Sequence, residues 1–127
     1  MTSHSNQAPK IWAIRIPRLP ANLNMMRHSI WQKQSALKHE DTEQAQGVSL
    51  QKGRHLSMPW DNVQINITFG IADKRRRDLD NLTTKGFLDG LVHADVLTDD
   101  SMRVIKRISI GWEYADTFYT DITVEAL

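Results

Sequence analysis

The stretch with the clearest chemical character is residues 73–81, where four consecutive cations run directly into two aspartates one residue apart. Seven of the chain's 15 acidic residues lie between Asp73 and Asp100. Crowding like charges in this way stabilises a fold very little. Carboxylates that hold a divalent cation, next to cations that hold phosphate, are instead what phosphodiester hydrolysis requires. The stretch is therefore a candidate for the active site of a nuclease.

The two aspartates, Asp78 and Asp80, are predicted to aim together, because residues two apart in an extended segment project to the same side. Leu79 between them is predicted to point into the core. A third carboxylate from the pair Asp99-Asp100 would complete a cluster that needs either a bound cation or raised pKa values. The chain has no cysteine, and no histidine lies within ten residues of either aspartate. An all-oxygen donor set favours Mg²⁺ (or Mn²⁺) over Zn²⁺.

Each of these residues also has a simpler interpretation. Asp78 and Asp80 are placed where a helix cap and a solvated turn would be ordinary. Lys85 lies four residues before Asp89, so the two can form an exposed helical ion pair of about 0.3 kcal/mol. Alternatively, the Lys85 ammonium neutralises charge that builds up on a scissile phosphate. Spacing alone leaves both interpretations open.

Length and composition bound the class of protein. The chain has 127 residues, of which 40% are hydrophobic and 24% charged, as expected for one globular domain. The absence of cysteine excludes disulfide scaffolds and thiolate chemistry and suits a reducing compartment. No apolar run approaches the roughly 18 residues of a membrane span. We expect a cytoplasmic protein with a flexible segment over residues 1–9 and a folded domain over residues 10–127.

Charge is distributed unevenly along the chain. Up to Pro59 there are eight Lys and Arg residues against three acids, and beyond it eight against 12. A basic half beside a half with an acidic cluster suits a polyanionic ligand held near a metal. An ordinary mixed surface would look the same, so the charge distribution does not decide between them.

Hydrophobic periodicity predicts six elements in the order β-α-β-α-β-β. Strands are predicted at residues 10–16, 62–72, 103–114 and 117–125, and helices at about 25–46 and 79–94. Gly47 is predicted to cap the first helix, whose acidic C-terminal half is expected to fray early. Ala115-Asp116 is predicted to form a hairpin turn between the last two strands. The fold class is α/β (α+β), with a mixed sheet of about four strands and two main helices covering one face.

Two sequence blocks resemble one known family. The first runs Arg77-Asp78-Leu79-Asp80-Asn81, continues with Lys85 and Asp89-Gly90-Leu91, and ends in Asp99-Asp100-Ser101 before a strand. The second, weaker block is Leu19-Pro20-Ala21-Asn22-Leu23-Asn24 after the first strand. Together with length and element order, they resemble the RusA-type Holliday junction resolvases over roughly residues 10–125.

The resemblance implies a small homodimeric endonuclease, often encoded by phages and prophages, that cuts four-way DNA junctions by paired symmetric incisions during recombination and repair. It implies Mg²⁺ as cofactor, with Asp78, Asp80 and Asp100 as metal ligands and Asp99 the less favoured member of its pair. Lys85 would match the essential lysine. That lysine usually follows the asparagine by three residues in the family, whereas Lys85 follows Asn81 by four. Another cation, such as Lys74, is the alternative.

Basic residues outside the acidic block are candidates for contacts with junction arms, because phosphate contacts position a protein without reading sequence. The predicted DNA-binding residues are Lys74, Arg75, Arg76, Arg77, Arg27, Lys33, Arg54, Arg103 and Arg107. Two other functions stay open at this point. One is a non-catalytic relative that binds branched DNA, and the other is a nuclease with broader specificity for branched or flap DNA.

Overall fold

The computed structural model describes residues 10–22 and 31–127. Its centre is a four-stranded mixed sheet in the order β1-β4-β2-β3. The strands are β1 (Lys10–Ile16), β2 (Val63–Ile71), β3 (Ile105–Tyr114) and β4 (Tyr119–Ala126). Two helices, α1 (Trp31–Lys52) and α2 (Lys85–His93), pack against each other and cover one face of the sheet. The predicted fold class and element order are confirmed.

Alternating side chains build the core, as the sequence predicts for strands that have one covered face. Trp12, Ile14 and Ile16 of β1 are buried. The five apolar residues of the central strand β2 are also buried and lie in one cluster with Phe87 and Leu91 of α2. The five are Val63, Ile65, Ile67, Phe69 and Ile71. The predicted core-facing side chains of β1 and β2 are thus confirmed.

Helix α1 runs further than predicted. It continues through Gly47 to Lys52, so the prediction that Gly47 caps the helix and that its end frays is wrong. The glycine that ends the helix is Gly53, which has a φ of +83° and whose N–H donates to Ser49 O at 3.0 Å. Glycine is tolerated at position 47 inside the helix because this position is exposed and its φ is not positive. The predicted start of this helix near residue 25 lies outside the described residues.

The segment after β2 is not one helix, contrary to the prediction for residues 79–94. A short 3-10 turn (Leu79–Asn81) comes first and α2 begins separately at Lys85. Between them Leu82 forms an isolated antiparallel bridge with Asn22, and the Thr83 N–H donates to Ala21 O at 3.0 Å. These contacts draw the backbone out of helical geometry. They also fasten the connector after β1 beside the acidic block.

The predicted hairpin at Ala115-Asp116 is wrong. Strand β3 lies parallel to β2, and β4 lies antiparallel on the other side of β2, so the connection from β3 to β4 passes the end of β2. The Ala115 N–H donates to Ile71 O at 3.0 Å, which holds this crossing at the C-terminal end of β2. A hairpin would have required β3 and β4 to be neighbours. Strand β3 is instead an edge of the sheet.

Glycines allow the two helices to approach closely. A Cβ on Gly90 would lie 2.6 Å from the Ala45 Cβ, and one on Gly86 would lie 2.5 Å from the Asp41 Cβ. Both glycines therefore allow α2 to pack closely against α1. Among the described residues, none of the helices has the length and apolar content that spanning a bilayer requires.

Candidate active site

The basic turn after β2 is ordered by its own first residue. Asp73 receives two hydrogen bonds from the Arg77 guanidinium, one of them Nη2 to Oδ2 at 3.0 Å, and a third from the Arg75 N–H at 3.2 Å. The Arg77 hydrogen bond is the main reason why the pKa of Asp73 is lowered and that of Arg77 raised. The Arg77 guanidinium also lies 5.2 Å from the centre of the Phe118 ring. Arg77 is therefore a structural residue of the turn.

Three arginines of this turn line a groove of about 420 Å³ together with an acid. Its wall holds Arg75, Arg76, Arg77 and Asp78, and the other lining residues are Leu19, Pro20, Asn22, Asn81 and Leu82. The connector after β1 and the acidic block, which are distant in sequence, meet here. The groove thus joins both blocks on which the family resemblance depends. Cations and a carboxylate face one concave space of a size that a phosphodiester can enter.

Asp78 and Asp80 bracket Leu79 at the start of the 3-10 turn. Asp78 has an extended backbone and Asp80 lies inside the turn, so the prediction that both belong to one extended segment is wrong. Leu79 is 37% exposed rather than in the core, and it lines a small cavity with Trp112 and Tyr114 of β3. Both aspartates are exposed, and their side chains form no hydrogen bond or ion pair with other described residues.

Lys85 connects two acids, Asp89 of α2 and Asp100 of the turn before β3. Its ammonium donates to Asp100 Oδ2 and to Asp89 Oδ1, the latter at 3.1 Å. Lys38 of α1 lies 3.3 Å from the other Asp89 oxygen. The helical Lys85–Asp89 pair is therefore present, but it is part of a larger network that also contains Asp100. Asp99 is exposed.

Hydrogen bonds and neighbouring charges in this network favour the ionised forms of Lys85 and Asp89. The hydrogen bond that Lys85 donates to Asp100 is the main cause of the raised pKa of Lys85, which keeps the ammonium charged. Burial on its own would raise the pKa of Asp89, but the contacts with Lys85, Asp100 and Lys38 outweigh it and lower that pKa. In this network the Lys85 ammonium lies between two carboxylates at the N-terminal end of α2, and Lys38 contacts one of them.

Whether this site could hold a divalent cation depends on the side chains that could coordinate it. The carboxylates of Asp78, Asp80 and Asp100 offer oxygen ligands, the kind Mg²⁺ prefers. Across residues 10–22 and 31–127, however, no three His, Asp or Glu side chains are gathered closely enough to form a ready metal centre. Asp100 is paired with Lys85. The oxygen donors of Asp78, Asp80 and Asp100 fit Mg²⁺ by chemical type, and the three-carboxylate site stays a prediction.

Sequence reasoning missed the ion pair that anchors the connector. Asp41 of α1 is 2% exposed, accepts from Arg18 Nη2 at 2.6 Å and accepts from the Ala21 N–H at 3.0 Å. This pair fixes the connector, which lines the groove, onto α1. The only signal in the sequence was the position of Asp41 on the inward stripe of the helix. An aspartate on that stripe requires a buried partner.

The other predicted DNA-binding residues are spread over the surface. Lys74, Arg75 and Arg76 are exposed on the basic turn, and Lys33 and Arg54 are exposed on α1 and after it. Arg103 and Arg107 are exposed at the start of β3. Arg27 lies outside the described residues.

A small α+β domain with exposed carboxylates beside a basic groove is a class of structure that suits phosphodiester chemistry. A search for protein families found no family model that matches the chain. The chain is similar to the crossover junction endodeoxyribonuclease RusA of Enterobacteria phage HK97, with 40% identity over 52 residues. The match covers 38% of this chain and 42% of the phage protein, so it spans less than half of either. The predicted resemblance to RusA-type resolvases is confirmed.

Proposed function

We propose that this protein is a Mg²⁺-dependent endodeoxyribonuclease that cuts four-way DNA junctions. The observation that carries the proposal is the groove in which three arginines and Asp78 face one space, lined from both blocks of the family resemblance. The partial identity to a phage crossover junction endodeoxyribonuclease supports the substrate class.

The residues divide the work by charge and exposure. Exposed Arg75 and Arg76 bind the DNA backbone through charge, while Arg77 holds the turn in shape through Asp73. Asp78 and Asp80 would hold Mg²⁺, with Asp100 as the third ligand. When bound, Mg²⁺ would stabilise charge on the phosphate and lower the pKa of a water molecule. The Lys85 ammonium, kept charged by Asp100 and Asp89, neutralises charge on the scissile phosphate.

A homodimer follows from the symmetry of the substrate. Two strands must be cut symmetrically across an open junction, and a two-fold symmetric enzyme places one site on each. The proposal includes such a dimer. The solution mass of the purified protein, measured by light scattering without DNA, tests it.

The activity is tested with a labelled four-way junction and a linear duplex of the same sequence, with and without Mg²⁺. We expect Mg²⁺-dependent cuts at symmetric positions in the junction and little cleavage of the duplex. Asp80→Asn should abolish cleavage but keep junction binding, because it removes a ligand and also some repulsion of phosphate. Asp61→Asn, an exposed acid before β2, is the matched control and should cut normally.

Each alternative function has its own outcome in this assay. Equal cleavage of junction and duplex would contradict junction selectivity, and cleavage of flaps at the same rate would favour the broader nuclease. Junction binding without Mg²⁺-dependent cleavage would favour a non-catalytic relative. If Asp80→Asn cut like the unmodified protein, the assignment of the site would be wrong. Mg²⁺ binding itself is read by calorimetry, in which Asp78→Asn and Asp80→Asn should each lower the affinity.

A further inference from the structure

The two edge strands of the sheet differ in how deeply their apolar side chains are buried. On edge strand β1, the helix-facing residues Trp12, Ile14 and Ile16 are buried under the helices. On edge strand β3, the residues of the same face are 42–62% exposed. They are Ile108, Ile110, Trp112 and Tyr114, which lie in register with the buried apolar residues of β2. The core-type face of the sheet therefore continues onto β3, where neither described helix covers it and Leu79 borders it at Trp112 and Tyr114.

The outer backbone of β3 is also free to pair. Within residues 10–22 and 31–127, β3 pairs with β2 alone, through nine residue pairs. Exposed edge strands are normally blunted by proline, by bulges or by being short. Strand β3 contains no proline, and its single irregularity is a shift in register at Lys106 near the start of the strand, so the pairing with β2 is regular from Arg107 to Tyr114. The charged side chains in that regular stretch, Arg107 and Glu113, have opposite signs. A long regular edge with an apolar face is a template for another strand.

The sequence of β3 is complementary to itself around Ile110. In an antiparallel pair related by a two-fold axis at Ile110, Arg107 of one copy lies opposite Glu113 of the other, and Ile108 lies opposite Trp112. Opposite charges and apolar side chains thus meet their complements. Moving the axis to Ser109 or Gly111 would separate Arg107 from Glu113. Charge therefore selects one register.

We propose that β3 pairs antiparallel with β3 of a second copy around Ile110, forming a continuous eight-stranded sheet. This inference rests on the homodimer of the proposed function and assigns its interface. Isologous pairing through one strand is self-closing, so it ends at the dimer. The exposed row of four large apolar side chains then packs side by side with the same row of its symmetry mate on one face of the sheet, which reduces the exposure of both rows.

The interface also sets the spacing of the two sites. Tyr114 lines the small cavity with Leu79, next to Asp78 and Asp80. In the assigned register Tyr114 lies opposite the second copy's Lys106, so the two Tyr114 residues are eight positions apart. At ~3.4 Å per residue the two sites lie roughly 27 Å apart along the paired strands. The sites would stand at opposite ends of one sheet and on the same face.

Cysteine cross-linking tests the interface directly, because the natural chain contains no cysteine. In the assigned register, Ile110→Cys places two thiols opposite each other with Cα atoms about 4.5–5.5 Å apart, within disulfide range. Mild oxidation should convert most of this variant to a covalent dimer on a non-reducing gel. Ile11→Cys, an exposed residue on the other edge strand at 55% exposure, is the matched control and should stay largely uncrosslinked.

Charge reversal tests the register. Arg107→Glu and Glu113→Arg each place like charges together twice per dimer, so each should raise the dimer dissociation constant roughly tenfold. The double variant restores both pairs and should recover most of the affinity. Arg103→Glu, which lies just outside the strand, should change little. A double variant no tighter than the weaker single one would overturn the register.

The outcomes separate this inference from the proposed nuclease. All masses are measured without DNA or Mg²⁺, so loss of cleavage cannot affect them. A dimeric protein in which Ile110→Cys does not cross-link, or in which Ile11→Cys does so better, would overturn the β3 interface and leave the dimer standing. A monomer at tens of micromolar would overturn both, whereas the junction assay would still decide the nuclease.

Discussion

At the scale of single residues, the site depends on ion pairs that hold backbone as well as charge. Asp41 joins Arg18 and the Ala21 N–H to α1, and Asp73 joins Arg77 and the Arg75 N–H within the basic turn. In both cases one carboxylate satisfies a cation and a backbone donor. Each aspartate therefore shapes a wall of the groove without being proposed to touch the substrate.

The buried Asp41 should be the more costly of the two to remove. Asp41→Ala leaves a buried N–H unsatisfied and Arg18 unpaired, and because the Arg18 side chain is 36% exposed we expect a loss of about 2 kcal/mol of unfolding free energy. Urea denaturation measures it. Glu43→Ala, which removes an exposed pair with His39, should cost about 0.5 kcal/mol or less. Equal losses for the two variants would contradict the anchoring role.

The Asp73–Arg77 pair predicts a pH dependence. Because its pKa is lowered in the folded protein, Asp73 adds stability that is fully present above the ordinary carboxyl pKa, about 3.9, and is lost as pH falls through the lowered value. Asp73→Asn should therefore be less stable than the natural protein at pH 7, and the difference should shrink below roughly pH 4. Thermal unfolding over pH 3–7 measures it, and a constant difference would contradict the pair.

At the scale of elements, the close packing of the two helices requires glycine at one position and not at another. Gly90 sits against α1, with a hypothetical Cβ 2.6 Å from Ala45 Cβ and from Thr42 O, while Gly47 has open space around it. The same residue type therefore has opposite roles on two packed helices. One permits the approach of the helices, and the other only weakens a helix.

Alanine at these two glycines should shift stability in opposite directions. Gly90→Ala forces α1 and α2 apart and should lower the unfolding free energy by about 1–3 kcal/mol. Gly47→Ala adds helix propensity without a clash and should raise it by up to about 1 kcal/mol. Denaturant midpoints that fall for Gly90→Ala and rise for Gly47→Ala, with unchanged slopes, would confirm both predictions. Stabilisation by Gly90→Ala would show that the helices do not pack this closely.

At the scale of the whole molecule, charge and apolar surface are segregated. The basic turn and its groove lie at the C-terminal end of β2, while the uncovered apolar row runs along edge strand β3. The small cavity between Leu79 and Trp112 lies between them. One surface suits DNA and the other suits a second copy of the chain.

Salt dependence should distinguish exposed cations that contact DNA from those that do not. Arg76→Gln should weaken junction and duplex binding alike and lower the slope of log affinity against log salt by about 0.9, the loss of one phosphate contact. Lys52→Gln, at the far end of α1, is the control and should leave the slope unchanged. Fluorescence anisotropy at several salt concentrations, without Mg²⁺, measures both. An unchanged slope for Arg76→Gln would remove it from the interface.

The sequence by itself determined several periodic elements and the kinds of donor atom in the acidic block. Strands β1 and β2 were predictable because their alternation meets a single covered face, and the oxygen donors of Asp78, Asp80 and Asp100 followed from residue type. Local pattern sufficed because each of these features depends on neighbours in the chain.

Only the tertiary structure decided the features that depend on distant partners. It separated the 3-10 turn from α2 through the bridge of Asn22 to Leu82, and it placed β2 between β3 and β4. It brought Lys85 to Asp100 and Arg18 to Asp41, contacts across 15 and 23 residues that no local spacing encodes. The apolar face of β3 reads as core in the sequence, and only the position of that strand at the sheet edge exposes it.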